Sequence, residues 1–205
     1  MDVDRLVLAI IQREDADAAI SALNQAGLAV TLISTIGGFL GTSNVTLLIG
    51  LRSNDLEQAI GLLRTHCHKR TVHTSLIAPT ETEVGSATIF VFPVTRYVHM
   101  GADHTIVDSQ RKPSEPGTLQ LILAIVSNEQ SGKLVETLTE WSYRATLIST
   151  TGGFLHRGNA TLLIGARSER VESIVDQIRQ VCGVTATKGS VATIFVLDIA
   201  QHERM

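Results

Sequence analysis

The sequence predicts an α+β protein made of two tandem copies of one βαββαβ unit, and three observations carry the prediction. Seventeen of the 24 residues from Val30 to Ser53 recur identically 115 positions later, from Ala145 to Ser168. Repetition of this strength marks a duplicated structural unit. Each copy alternates short apolar runs with stretches of helical periodicity. The length of 205 residues suits two domains of roughly ninety residues each.

Leu6 to Ile11 is a continuous apolar run, as a buried strand requires, and Leu121 to Val126 repeats it. A helix over about 14–26 sets Ala16, Ala19, Ile20 and Leu23 on one face, with Gly27 as its stop. Its counterpart over about 129–141 uses Leu134, Val135, Leu138 and Trp141. A second strand at about 29–35 (144–150) leads into a Gly-Gly turn, and a third follows at about 45–51 (160–166). Ser53 and Ser168 stand where a second helix would be capped. That helix sets Leu56, Ala59, Ile60 and Leu63 against Val171, Ile174, Val175 and Ile178 of the other copy. The last strand is Ala87–Phe92, repeated as Ala192–Leu197. This element order is the ferredoxin-like arrangement.

The domains are therefore expected at 1–98 and 118–205. Residues 99–117, with Gly101, Pro113, Pro116 and mixed charges, read as a linker. A loop from His68 to Glu83 precedes the last strand of the first copy, and its equivalent in the second is ten residues shorter. The strands are apolar at nearly every position, so both faces of each sheet need cover. Either sheets pack on each other, or they line the inside of an oligomer.

Hydrophobic residues make up 44% and charged residues 18%, the balance of a folded globular chain. A net charge of -3 gives no basic field for nucleic acid. No apolar run reaches the roughly 20 residues that span a bilayer, and the first residues lack a basic, cleavable leader. A cytoplasmic location is expected. Cys67 and Cys182 hold equivalent places in the two copies and read as buried structural thiols. His66, Cys67, His68 and His73 are not repeated as a group, so no metal site is expected. No nucleophile is flanked by a base within the repeat and no carboxylate pair recurs, which argues against an enzyme.

The duplicated turn suits a small anionic dinucleotide. Gly152 and Gly153, like Gly37 and Gly38, remove side chains and let backbone N–H groups approach a phosphate. Phe154 and Phe39 offer an aromatic face for a base, a contact of about 1–3 kcal/mol. Asn159 and Asn44 match an adenine edge. Thr146 adds a hydroxyl, and Arg144 can pair with phosphate or lie on a base. The same glycines fit a hairpin turn needing positive φ, the two Phe fit core positions, and the threonines fit strands on propensity alone.

The stretch TLISTTGGFLHRGNATLLIG, with ATIFVLD at the final strand, resembles the cyclic-di-AMP receptors of the PII-like superfamily. That resemblance implies ferredoxin-like PII-like subunits in a trimer, with ligand at clefts between neighbours, and no cofactor. It implies ligand contacts at Arg144, Ala145, Thr146, Phe154, Leu155, Asn159 and Gly165. In the first copy it implies Thr31, Phe39, Leu40, Asn44 and Gly50, with Gly85 at the approach to the last strand. The copies differ. Ala29 stands where Arg144 does, and Gly41-Thr42-Ser43 replaces His156-Arg157-Gly158. The second copy's Arg144 side could face the first copy's Gly85 side, giving one good and one degraded site. Three chains would form two stacked, pseudo-equivalent trimers. The expected partner is cyclic-di-AMP or a related adenine nucleotide, with ATP as competitor. The other function compatible with the sequence is a ligand-free or metal-linked trimeric scaffold like the PII-shaped divalent-cation-tolerance proteins. No residue points to a downstream protein partner.

Overall fold

The computed structural model describes residues 3–34, 44–73, 81–84, 86–101, 105–110, 114–143, 145–149, 159–183 and 190–199. The chain divides into two compact units, Arg5–Phe92 and a second joining Met1–Asp4 to Pro93–Met205.

The first unit runs β1 (Arg5–Gln12), α1 (Arg13–Gln25), β2 (Val30–Ser34), β3 (Asn44–Leu51), α2 (Leu56–His66), β4 (Arg70–His73), β5 (Glu81–Val84) and β6 (Ala87–Pro93). Its sheet has the order β2-β3-β1-β6, the ferredoxin-like pattern. Period-two alternation turns Val7, Ala9, Ile11, Val45, Leu47 and Ile49 towards the helices. There they meet Ala16, Ala19 and Leu23 of α1 and Ala59 and Leu63 of α2. Within the loop expected at 68–83, β4 and β5 pair as an antiparallel hairpin. Ser53 opens a 3-10 turn, Ser53–Asp55, so the cap of α2 is Asp55, two residues later than expected.

The second unit runs β7 (Arg96–Gly101), β8 (Ile106–Gln110), β9 (Leu119–Ser127), α3 (Asn128–Glu140), β10 (Ala145–Ser149), β11 (Asn159–Arg167), α4 (Ser168–Gly183) and β12 (Ser190–Asp198). Its sheet has six strands in the order β10-β11-β9-β12-β7-β8. The inner four repeat the ferredoxin-like order, and β7 and β8 widen it. Ser168 begins α4, and its hydroxyl donates to the Glu115 carbonyl at 3.0 Å.

The segment read as a linker differs most from expectation. Much of it is the β7–β8 hairpin, and the unit boundary falls at Phe92 instead of residue 98. The mixed charges are the physical reason. Arg96 is buried and donates to Asp108 of β8 at 3.0 and 2.8 Å and to Glu172 of α4 at 2.5 Å. Arg179 donates to the same Asp108. Val98 and Met100 point into the helix-side core, while Tyr97 packs on Phe195 of β12 with ring centroids 5.4 Å apart.

The faces away from the helices differ between copies. In the second unit Leu123, Ile125, Phe195 and Leu197 are buried, whereas Phe90 and Phe92 of β6 are exposed in the first. Among the described residues no helix is long and apolar enough to cross a membrane.

Helix ends show how duplication has drifted. α1 closes with Leu28 N–H on the Leu23 carbonyl and Gly27 at φ 78°. α3 closes in the same way, Tyr143 N–H on Leu138, but with Ser142 at φ 61°. A side chain is strained in this left-handed region and glycine is not. Ser142→Gly is expected to stabilise the second unit by about 0.5–1 kcal/mol, measured as a rise in Tm; an unchanged or lower Tm contradicts it.

Candidate functional site

The structure places the sequence-predicted residues at two ends of each sheet. In the second copy Thr146 on β10 lies opposite Leu163 of β11, and Gly165 is the diagonal neighbour on the same, non-helical face. Both are exposed. A Cβ at Gly165 would meet nothing within 4 Å, so packing does not demand the glycine. Ala145, opposite Ile164, instead packs against the helix-side core. Asn159 begins β11, six positions from Gly165, which is roughly 20 Å along a strand.

The first copy repeats this plan. Thr31 lies opposite Leu48, Gly50 opposite Leu6, and Asn44 at the far end opposite Gln12. Thr and Gly therefore share one end of the sheet face, and Asn holds the other. Arg144, Gly152, Gly153, Phe154, Leu155, Gly37, Gly38, Phe39, Leu40 and Gly85 lie outside the described residues.

A cleft of about 160 Å³ opens at the Asn44 end of the first unit. Ile10, Ile11 and Gln12 of β1, Asn44 of β3, and Ser86–Thr88 at the start of β6 line it. The residue after Gly85 thus stands beside the first copy's own Asn44, within one domain. The volume is below the 300–1,000 Å³ usual for a small-molecule pocket.

Sequence reasoning missed what stands behind this cleft. Gln12 is only 2% exposed, and its carboxamide oxygen accepts from Arg70 Nη1 at 2.8 Å. Arg70 also grips Asp15 on α1 with both terminal nitrogens, at 2.9 and 2.5 Å. The His68 N–H donates to Asp15 at 3.1 Å. Bonding to Arg70 holds the Asp15 carboxyl below its ordinary range, against the opposing effect of burial.

Among the described residues of the second copy, neutral groups stand at the positions of Gln12 and Asp15. Ser127 lies opposite Asn159, and its hydroxyl donates to Gln130 at 3.1 Å. Gln130 donates to the Cys182 carbonyl at 3.0 Å. The available signal was divergence: Gln12 and Asp15 become Ser127 and Gln130, outside the stretch of highest identity.

A larger cavity of about 260 Å³ lies near the start of α4, lined by Arg96, Ser114, Gln120, Ser168 and Glu172 among others. It contains none of the predicted site residues. Its arginine is committed to Asp108 and Glu172, and buried Gln120 donates to Ser114 and Asp198, both at 2.7 Å. Burial pushes the Cys67 thiol up to about 11 and the Cys182 thiol to about 12, which suppresses the nucleophilic thiolate. Among the described residues no three His, Cys, Asp or Glu side chains cluster as metal ligands.

Fold and repeat define the class: a duplicated ferredoxin-like α+β protein that carries the same polar positions on matching strands of both copies. The chain belongs to the cyclic-di-AMP receptor family, whose model matches residues 4–100 and again 119–191. The double match agrees with a tandem duplication. Among solved structures it is similar to a protein of unknown function from Pediococcus pentosaceus, at 30% identity over 46% of this chain and 94% of that one, with a TM-score of 0.37. It also aligns with the regulatory subunit of aspartate kinase from Thermus thermophilus, at 14% identity over 88% and 93% of the two chains, with a TM-score of 0.35.

Proposed function

We propose that the protein is a non-enzymatic signalling receptor that binds cyclic-di-AMP at clefts built around the duplicated Asn44 and Asn159 ends of its sheets. The observation that carries this reading is the family match in both copies, joined to a polar cleft at Asn44 itself. The small cleft volume supports a site completed by a neighbouring domain, as in a trimer of three chains. The exposed Phe90 and Phe92 of β6 supply apolar surface for such a neighbour. Binding would act with no bond made or broken. A cytoplasmic location goes with this reading.

Thermal shift with cyclic-di-AMP, ATP and Zn²⁺ tests it. A ligand that binds only the folded state at 100 times its Kd stabilises by about 2.7 kcal/mol. Cyclic-di-AMP is expected to raise the Tm most. A response to Zn²⁺ and to neither nucleotide would replace the receptor by a metal-linked scaffold.

A further inference from the structure

We propose that the open edge of β6 takes up residues 200–205 of a neighbouring chain of the same protein as an added strand, and that Arg204 of that strand is a ligand-binding residue at the first-copy cleft. The inference rests on the receptor function proposed above and deepens it.

β6 and β12 are one strand used twice: Ala87–Val91 and Ala192–Val196 both read ATIFV. Their surroundings differ. β12 lies between β9 and β7, whereas β6 pairs with β1 and, among the described residues, with no strand on its other side. Phe90 is 47% exposed and Val91 38%, against 3% for Phe195 and 1% for Val196. An apolar edge with open backbone groups is a template for strand addition. The second unit shows what fills such an edge. β7 runs antiparallel along β12, with Tyr97 opposite Phe195 and His99 opposite Thr193. Tyr97 packs on Phe195, and His99 Nδ1 lies 3.0 Å from the Thr193 hydroxyl.

The family match to the first copy extends to residue 100, so it takes in most of β7. Both copies leave their last strand in the same way. The Val94 N–H donates to the Asp4 carbonyl and the Ile199 N–H to the Leu119 carbonyl, each at 3.0 Å. Beyond those points Thr95–Met100 aligns with Ala200–Met205, and His99 with Arg204. Residues 200–205 lie outside the described residues. Set against β6 in the register of β7 on β12, His202 stands opposite Phe90 and Arg204 opposite Thr88. Glu203, opposite Ile89, falls on the helix side. There the exposed Arg64 of α2 holds the place from which Arg179 of α4 reaches Asp108, so Glu203 has a cation to meet. Thr88 lines the Asn44 cleft, whose described walls are neutral. Arg204 therefore brings the positive charge that an anionic dinucleotide needs. Donor and acceptor are different surfaces, and a head-to-tail contact of this kind closes chains into a ring.

Oxidising the full chain with Phe90→Cys and His202→Cys together tests the pairing, because directly opposed strand residues stand at disulfide distance. Bonds between chains are expected, seen without reductant as multiples of the chain mass and absent from either single variant. A bond within one chain, a bond between two β6 edges in Phe90→Cys alone, or no bond at all overturns the strand addition. Calorimetric titration of the full chain with cyclic-di-AMP tests Arg204. Arg204→Ala should weaken at least one class of binding roughly 10- to 100-fold, with the assembly mass from light scattering unchanged. Arg204→Lys should recover part of the loss. Wild-type affinity in Arg204→Ala overturns its place at the cleft. Chains that cross-link as expected while wild type binds no cyclic-di-AMP overturn the receptor function, and the role of Arg204 with it, and leave the strand addition standing.

Discussion

Replacing Arg96 with methionine is expected to destabilise the second unit by about 2 kcal/mol at neutral pH, a fall in Tm of roughly 10 °C for a unit of this size. Arg96 is 6% exposed and holds Asp108 and Glu172, which join the β7–β8 hairpin to α4. Removing the buried member leaves Asp108 and Glu172 with Arg179 as their shared cation, which costs more than losing a surface pair. The figure is kept at the low end because the Glu172 side chain is 61% exposed and water screens it. Asp108 and Glu172 both have carboxyls held below their ordinary values of 3.8 and 4.5, first by their bonds to Arg96. Groups with lowered folded pKa values contribute stability fully above the unfolded values and lose it as pH falls towards the folded ones. The gap between wild type and Arg96→Met should therefore be full at pH 7 and close below about pH 4. Calorimetric melts across pH check this, with amide exchange over 96–110 as a local reporter. A gap that persists unchanged at pH 3 contradicts the ion-network account.

Arg144→Ala is expected to weaken cyclic-di-AMP binding by roughly 10- to 100-fold, because charge-assisted hydrogen bonds to an anion contribute about 1.5–3 kcal/mol. The cognate position of the first copy is Ala29, exposed just before β2. The reciprocal variant Ala29→Arg should strengthen binding at the first copy. Arg144→Lys should recover only part of the loss, since a point charge does not reproduce planar, two-pronged recognition. Titration calorimetry on the three variants reads each effect. Equal affinity of Arg144→Ala and wild type would remove Arg144 from the site.

Much of the fold was legible because it rests on local periodicity. The apolar runs at Leu6–Ile11 and Leu121–Val126 became β1 and β9, and Gly27 ended α1 through its positive φ. The β7–β8 hairpin was hidden because its stability is long-range. Asp108 looks like a solvated linker charge until Arg96, on the other side of the expected boundary, and Arg179, more than sixty residues away, are brought beside it. The alternation in Arg96–Gly101 was a readable signal, masked by the glycines and prolines around it. At the site, repetition singled out Asn44 and Asn159 just before the expected strands, and the structure makes them the first residues of β3 and β11. Repetition could not reveal Gln12 or Arg70, which differ between copies and meet only through the turn of the chain around α1. Their partnership is a tertiary fact.

The central claim is that both copies belong to one receptor scaffold but offer inequivalent nucleotide sites. Calorimetric titration of the full-length chain with cyclic-di-AMP tests it most directly, read for affinity and stoichiometry together. Saturable binding in two unequal classes, or in one class of no more than one ligand per chain, is predicted. No heat with cyclic-di-AMP, or two identical sites per chain, would contradict the account.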